Sequence, residues 1–219
     1  MTGAHGPGPA DDLEPPTAGA EYAQRLATLG GVRWKQVLDV QAPYRAHLRR
    51  LRLGRTLDVG CGTGRNLRGL DRGSIGVDHN PHSVALARRN GLPAFTVEEF
   101  RDSTDLTRPG GFDSMLVAHV VEHLDPGAAP TVVGGYLPYV RPGGRVVFIT
   151  PQERGHASDP THVAFTDLAA LRALADTLGL VVERGYSFPF PRFAGRAFTY
   201  NEFVLVARRP AAPTTDDVP

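Results

Sequence analysis

Cysteine and lysine are almost absent from this chain: Cys61 and Lys35 stand alone among 219 residues. A single thiol excludes an internal disulfide framework. The sequence also lacks a charged-then-apolar leader and any run of about 18 apolar residues, so we expect a cytoplasmic protein without a membrane partner. The basic side chains are otherwise arginine, a bias that is typical of GC-rich bacterial genomes.

An excess of charge of one sign is also missing. The 24 basic and 23 acidic residues give a formal net charge of +1 and are scattered along the chain. Proteins that bind nucleic acid usually carry a basic patch or stripe, and the sequence offers none. We therefore expect a small-molecule partner rather than a nucleic acid, and a homodimer stays open.

Apolar anchors are scarce near both ends. Residues 1–19 are rich in glycine, proline and aspartate, and residues 210–219 are rich in proline and aspartate. Both segments have too few apolar side chains to compensate for the conformational entropy that a chain loses when it becomes ordered. We predict that both segments are disordered. The remaining residues, 20–209, are enough for one domain with a large core.

Between these segments, apolar runs of strand length alternate with segments of helical periodicity. Strand followed by helix, repeated five times, specifies a parallel sheet covered on both faces. We predict a doubly wound α/β fold with a seven-stranded, mostly parallel sheet, and Thr166 as the N-cap of the last helix. Predicted helices cover 20–29, 33–51, a stretch ending at Leu70, 81–90, 127–140 and 166–178; predicted strands cover 55–60, 74–78, 93–97, 112–118, 145–150, 180–187 and 200–208.

A glycine-rich turn follows the first predicted strand, in the sequence TLDVGCGTGRN at 56–66. Such a turn lets backbone N–H groups face a ligand, and an acidic residue at the end of the next strand, Asp78, can accept hydrogen bonds from ribose hydroxyls. Arg65 stands where a dinucleotide fingerprint requires its third glycine, which argues against NAD. The pattern instead suits a nucleoside cofactor whose ammonium group Asp58 can attract.

Four motifs in order resemble class I S-adenosylmethionine-dependent methyltransferases: DVGCGTG, GVDHN, FDSMLVAHVVEHL and RPGGRVVFITP. The resemblance covers residues 33–208 and implies that the N-terminal helices form a lid over the cofactor. It also implies a cofactor site in which the glycine turn lines the methionine and ribose, Asp78 holds the ribose, the next loop faces the adenine and the tip of the fourth strand packs on the methionine. The residues implied are Asp58, Gly60, Cys61, Gly62, Gly64, Asn66, Asp78, His79, Glu98, Glu99, Ala118 and His119.

The segment HVVEH, residues 119–123, also matches the signature of inverted zinc peptidases. That interpretation needs a long helix, whereas this segment follows a strand directly. If the chain turns helical at His119, then His119, Glu122 and His123 project from one face. Because the fourth and fifth strands are expected to be neighbours, His162 lies on the same edge of the sheet.

Some methyltransferases that act on hydroxyl groups carry Glu-x-x-Glu-His at this segment and bind a divalent metal there. The resemblance therefore implies a metal site, for Mg or a transition metal, formed by His119, Glu122, His123 and His162. Without a metal, His123 or His162 is the candidate general base, with Glu122 as the third catalytic candidate. The purely structural alternative is that Glu122 and His123 hydrogen-bond the neighbouring loop.

The connection between the last two strands, within 186–203, holds seven of the chain's aromatic residues. We expect Phe198, Tyr200 and Phe203 to be core, and Phe188, Phe190, Arg192 and Phe193 to face a pocket. The combined prediction is O-methylation of a hydroxyl on a small polar molecule, a sugar or glycan, or a phenol, with possible metal assistance. The alternatives are metal-independent N- or C-methylation, and a non-catalytic partner that only binds the cofactor.

Overall fold

The computed structural model describes residues 41–211. Within this range, seven strands form one sheet: β1 Thr56–Val59, β2 Ile75–Asp78, β3 Ala94–Thr96, β4 Phe112–Ala118, β5 Val140–Pro151, β6 Val181–Phe188 and β7 Glu202–Arg208. Their order is β3-β2-β1-β4-β5-β7-β6. Strands β1 to β5 run parallel, and β7 is antiparallel to both of its neighbours. The predicted doubly wound, seven-stranded, mostly parallel sheet is confirmed.

Helices connect the strands and cover the sheet. In the described range they are α1 Ala42–Leu51, α2 Pro81–Arg89, α3 Val97–Asp102, α4 Ala129–Gly134, α5 Glu153–His156 and α6 Leu168–Thr177, with short 3-10 helices at Leu67–Gly69, Val121–His123, Leu137–Tyr139 and Arg192–Arg196. The helix predicted at 20–29, residues 33–40 of the next one, and the tails 1–19 and 212–219 lie outside the described residues.

Two predicted helices are shorter than the sequence suggested. The stretch ending at Leu70 forms only a 3-10 turn over Leu67–Gly69, since Gly64 precedes the turn, Gly69 ends it, and glycine is a poor helix former. The helix predicted over 127–140 stops at Gly134 and is followed by a 3-10 turn that contains Pro138. Glycine and proline inside an apolar periodic run therefore outweighed the periodicity.

The N-cap of α6 is Asp167 and not Thr166. The Asp167 carboxylate accepts hydrogen bonds of 3.0 Å from the backbone N–H groups of Ala169 and Ala170. Thr166 instead uses its carbonyl to accept a bond from the Thr150 hydroxyl. Both residues are good caps, and the carboxylate also interacts favourably with the positive end of the helix dipole.

The central strands are buried on both faces, as expected for a parallel sheet between helical layers. Along β4, Met115 and Val117 pack into one apolar cluster, and Leu116 and Ala118 pack into the other. Phe203 is also buried, as predicted. Among residues 41–211, no helix has both the length and the apolar character needed to cross a bilayer.

Two expected core residues are exposed. Phe198 and Tyr200 precede β7 and are 36% and 50% exposed. They belong to the connection between β6 and β7, so the alternation of the last strand does not extend to them.

The sheet has its topological switch point at β1. From this strand the chain continues to β2 and β3 on one side, and later to β4 and β5 on the other. At such a point the crossovers leave in opposite directions, so a crevice opens beyond the carboxyl ends of the strands. The glycine turn lies directly at this crevice, because it follows Val59, the last residue of β1.

Candidate active site

The turn after β1 is shaped by three glycines with left-handed backbone. Gly60, Gly62 and Gly64 have φ values of 71°, 54° and 81°. A Cβ on Gly60 would lie 2.3 Å from Cγ2 of Val120, a distance that no packing tolerates. The glycines are therefore required by the chain's own packing and backbone conformation, and they give the turn its shape independently of a ligand.

The turn is tied to the acidic residue that ends β2. The Gly62 N–H donates to Oδ2 of Asp78 at 2.7 Å, and the Asn80 N–H donates to Oδ1 at 2.8 Å. The Asp78 side chain is almost fully buried, and each carboxylate oxygen retains a further lone pair. Asp78 is thus held in a fixed orientation and keeps the capacity to accept hydrogen bonds from two hydroxyl groups.

Asp58, at the penultimate position of β1, is fully buried. Neither of its carboxylate oxygens makes a well-directed hydrogen bond in the described part of the protein. Burial, together with the nearby charge of Asp78, raises the pKa of Asp58 from 3.8 to about 8, although Arg65 and Asn66 oppose the shift. A buried acid without partners at a ligand crevice needs a cation or a hydrogen-bond donor from the ligand.

The other predicted cofactor residues differ in burial and in the contacts of their side chains. The side chain of Cys61 is buried against Gly76, and burial raises the pKa of its thiol, so only its backbone can face a ligand. Glu99 closes a capping box at the start of α3 and pairs with Arg88. Glu98 and His79 are exposed at the same edge of the sheet.

A cavity lies between α1, the glycine turn and the tips of β4 and β5, and it brings predicted residues together with one that the sequence did not reveal. Its lining includes Asn66, Ala118 and His119, together with Tyr44 and the buried Glu202. Its volume of about 10 Å³ leaves room for about one water molecule, so entry of a larger group requires side chains to move. Glu202 begins β7 and reaches the crevice because that strand pairs with β5.

His119 lies at the end of β4 between two acidic residues. Its Nε2 is 2.9 Å from Oε1 of Glu202, and its Nδ1 is 3.3 Å from Oε1 of Glu122. Burial alone would lower the pKa of His119, but the two carboxylates outweigh it and raise the pKa from 6.5 to about 9. His119 is therefore an imidazolium at neutral pH, and a protonated imidazole has no lone pair for a metal.

The helical turn considered at His119 from the sequence does not form. His119 has φ of 59°, in the left-handed region, and the 3-10 turn starts only at Val121. The left-handed residue redirects the chain sharply at the end of β4, which is why His119 and Glu122 still meet.

Glu122, His123 and His162 form a cluster at the carboxyl edge. Their potential ligand atoms all lie within 4.8 Å of one another. Glu122 is fully buried, and neither of its oxygens makes a well-directed hydrogen bond among the described residues. The structure thus brings together three of the four predicted metal residues, and His119 lies outside this set.

Backbone carbonyls fix the orientation of both imidazoles in the cluster. Nδ1 of His123 lies 3.1 Å from the carbonyl oxygen of Thr161, and Nδ1 of His162 lies 2.7 Å from that of His156. A carbonyl oxygen only accepts, so in the neutral ring each Nδ1 carries the proton and each Nε2 carries the lone pair. Desolvation by burial lowers the pKa of His123, which also favours its neutral form.

Glu122 also supports the loop that carries His162. Its carbonyl oxygen accepts hydrogen bonds from the N–H groups of Val163, at 2.7 Å, and Ala164, at 3.2 Å. The structural alternative considered from sequence, in which Glu122 and His123 hold this loop, is therefore realised through backbone and ring contacts. The Glu122 carboxylate takes no part in it.

Comparison with known proteins identifies the family. A model of the methyltransferase domain matches residues 33–184, and no curated protein matches the chain. Among solved structures, a methyltransferase from Thermotoga maritima, described as a possible histamine N-methyltransferase, has a TM-score of 0.62 and 15% identity over 86% of this chain and 98% of its own. A SAM-dependent methyltransferase from Archaeoglobus fulgidus has a TM-score of 0.58 and 20% identity over 76% of this chain and 93% of its own.

Magnesium protoporphyrin IX methyltransferase from Synechocystis PCC 6803, solved with bound SAM, is also similar, with a TM-score of 0.53 and 16% identity over 93% of this chain and 86% of its own. The crevice described above fits that cofactor, since Asp78 retains acceptor capacity for a ribose and Asp58 has a buried carboxylate without a partner. The chain belongs to the methyltransferase-domain family and is an S-adenosylmethionine-dependent methyltransferase of the class I fold.

Proposed function

We propose that this methyltransferase transfers the methyl group to a hydroxyl of a small polar molecule, a sugar or glycan, or a phenol, and that a divalent metal held by Glu122, His123 and His162 assists the transfer. The observation that carries the proposal is the matched orientation of the two imidazoles. Each is held by a carbonyl at Nδ1, which is the arrangement that supports metal-binding histidines in proteins. The buried carboxylate of Glu122 supplies a negative charge beside them.

Among possible methyl acceptors, a hydroxyl group would be activated most by a metal in the cluster of Glu122, His123 and His162. An alcohol attacks a methyl sulfonium efficiently only as an alkoxide, whereas a neutral amine carries its lone pair already. A bound divalent cation lowers the pKa of a coordinated hydroxyl. The nitrogen-rich ligand set favours a transition metal such as Mn or Zn over Mg.

The residues of this chain supply the remaining parts of the mechanism. The glycine turn and Asp78 orient the cofactor, so the transfer gains mainly from alignment. Glu122, buried and adjacent to His123, favours a positively charged group in the cluster. If no metal enters, Nε2 of His123 or His162 is positioned as general base for the same hydroxyl.

The acceptor pocket is proposed to include the connection between β6 and β7. Phe190 and Phe193 are 49% and 75% exposed and lie on the carboxyl side of the sheet. Arg192 pairs with Glu153 through two hydrogen bonds, which fixes the start of this connection against α5. Exposed aromatic rings on a fixed loop suit the face of a sugar or a phenol ring.

The test combines metal binding and turnover. Calorimetric titration of chelator-treated protein with Mn²⁺, Zn²⁺ and Mg²⁺ should show binding that weakens by about tenfold or more in His162→Ala, because one imidazole ligand is lost. The exposed His82→Ala is the matched control and should bind as the wild type does. A panel of phenol, sugar and amine acceptors with radiolabelled SAM identifies the methylated atom.

Two results would contradict the proposal. One is turnover that is unaffected by chelation and by His162→Ala, which would favour N- or C-methylation without metal. The other is methyl transfer to amines alone. Tight cofactor binding with no acceptor methylated would point to the non-catalytic alternative.

A further inference from the structure

A second cavity lies at the opposite edge of the sheet, beyond the amino ends of β1, β4 and β5. Its volume is about 270 Å³, far larger than that of the crevice beside the glycine turn. Four arginines, Arg52, Arg141, Arg145 and Arg208, and one acid, Asp113, contribute to its lining. The methyl-transfer chemistry uses none of these residues.

Two of the arginines form a fixed wall. Arg208 donates to Oε1 of Glu183 and to the Gly143 carbonyl, both at 2.7 Å. Arg145 donates to the Leu51 carbonyl at 2.9 Å, and its Nε lies 3.4 Å from the other Glu183 oxygen. One carboxylate therefore serves two guanidinium groups, so this wall keeps a positive charge in a defined orientation.

On the opposite side of the cavity, less of the positive charge is compensated by carboxylates. Nε of Arg141 donates to Oδ1 of Asp113 at 2.9 Å, while the second Asp113 oxygen accepts from the backbone N–H of Arg55. The hydrogen bonds from the Arg55 backbone N–H and from the Arg141 side chain both lower the pKa of Asp113, so this acid carries a negative charge that Arg141 compensates. Arg52 follows the end of α1 with an exposed side chain.

The balance of charge at this cavity is positive. Four guanidinium groups face two carboxylates, those of Asp113 and Glu183, which leaves two positive charges. A concave surface lined by charge of one sign concentrates the field inside it. None of the described lining residues is aromatic, so the cavity offers no stacking surface for a base or a ring.

We propose that this cavity binds a small phosphate-type oxyanion, free or as the phosphoryl group of a soluble metabolite. Guanidinium groups match phosphate oxygens through paired N–H donors, and Arg141 and Arg52 both contribute to the lining of the cavity. The volume is slightly below the range of about 300–1,000 Å³ that drug-sized ligands occupy, which agrees with a compact anion.

Calorimetric titration of the full chain with pyrophosphate, inorganic phosphate and ribose 5-phosphate, at constant ionic strength set by chloride, tests the proposal. We expect saturable binding, with pyrophosphate tighter than phosphate because it engages more donors. Arg141→Ala and Arg52→Ala should each weaken pyrophosphate binding by about tenfold, the loss expected for one charged hydrogen-bonding group. Arg89→Ala, an exposed arginine on α2, is the matched control and should change nothing.

Further arms define the outcome. Arg141→Lys keeps the charge and loses the planar fork, so it should bind with intermediate affinity. Affinity for S-adenosylhomocysteine should be unchanged in all four variants, which separates this site from the cofactor crevice and shows that the variants fold. Ribose 5-phosphate binding tighter than phosphate would identify a metabolite phosphoryl group, and the reverse would identify free phosphate. Absence of binding at millimolar concentration, or equal binding by Arg52→Ala and wild type, would overturn the proposal.

Discussion

Nε2 of His119 lies 2.9 Å from Oε1 of Glu202, a residue 83 positions further along the chain. This contact joins the end of β4 to the start of β7 across β5 and fixes a charged imidazole beside the cofactor crevice. It is also the contact that removes His119 from the cluster formed by Glu122, His123 and His162.

Replacing Glu202 by glutamine should destabilise the protein by about 1–3 kcal/mol at neutral pH, because the His119 imidazolium loses a buried counterion. The pKa of His119 is raised from 6.5 to about 9, so its stabilising effect is complete below pH 6.5 and is lost as pH rises through 9. Urea unfolding of wild type and variant should therefore differ at pH 6.5 and converge near pH 10. Asp71→Asn, an exposed acid, serves as control, and a difference that persists unchanged at pH 10 would contradict this assignment.

Asp58→Asn should weaken binding of S-adenosylhomocysteine by about tenfold and leave binding of 5′-methylthioadenosine almost unchanged. The first ligand carries an ammonium group that the Asp58 carboxylate can attract, and the second lacks it. Titration calorimetry measures both affinities. Equal losses for the two ligands would show that Asp58 acts on the shape of the turn rather than on the amino-acid part of the cofactor.

Asp58 also predicts a dependence of stability on pH in the cofactor-free protein. Its pKa in the folded state, about 8, exceeds the ordinary value of 3.8, so the folded protein binds the extra proton between these values and stability falls as pH rises toward 8. Asp58→Asn lacks this ionisable group, so the variant should become more stable relative to wild type as pH increases from 5 to about 8.5. Thermal unfolding at several pH values measures the difference, and parallel curves would rule it out.

Asp78→Ala should weaken both S-adenosylhomocysteine and 5′-methylthioadenosine by about 100-fold, since both contain the ribose and two charge-assisted hydrogen bonds are lost. This shared loss distinguishes Asp78 from Asp58. Asp105→Ala, an exposed acid paired with Arg108, is the control. Loss of binding for only one of the two ligands would contradict the ribose assignment.

Gly60→Ala and Gly91→Ala separate two effects of a side chain in left-handed backbone. Both glycines have φ near 70°, but a Cβ on Gly91 meets nothing within 4 Å, whereas on Gly60 it would lie 2.3 Å from Val120. Gly91→Ala should cost about 1 kcal/mol of folding free energy, and Gly60→Ala about 3 kcal/mol or more. Denaturant unfolding measures both, and similar costs would mean that Val120 moves aside freely.

The sequence predicted the sheet well because each strand forms a short apolar run that is bounded by glycine or polar residues. It predicted the arrangement of Asp58, Asp78 and the glycine turn at one edge of the sheet. These residues lie within one β-turn-α unit and its neighbouring strand, so local spacing determines how they are arranged. It also placed His123 and His162 together, since the carboxyl ends of adjacent parallel strands share an edge.

Other features depend on contacts between distant segments and have no local signal. Glu202 enters the crevice only because β7 lies antiparallel between β5 and β6, a pairing that strand length alone does not specify. The left-handed conformation at His119 has no local signal, because histidine occupies the position where glycine or asparagine would be expected. The arginine cavity is assembled from four separate segments, and in the sequence its members look like ordinary surface charge.

The position of β7 affects the order in which the strands can join the sheet during synthesis. This strand lies in the interior of the sheet, yet it follows all the other described strands in the sequence. As the ribosome releases the chain, β1 to β5 can associate first, which leaves β5 with an open row of unpaired amide and carbonyl groups. The emerging β6 finds no partner until β7 inserts beside it. A nascent or proteolytically clipped polypeptide without this last hairpin therefore keeps its glycine turn, but it lacks Glu202 and exposes the unpaired edge of β5.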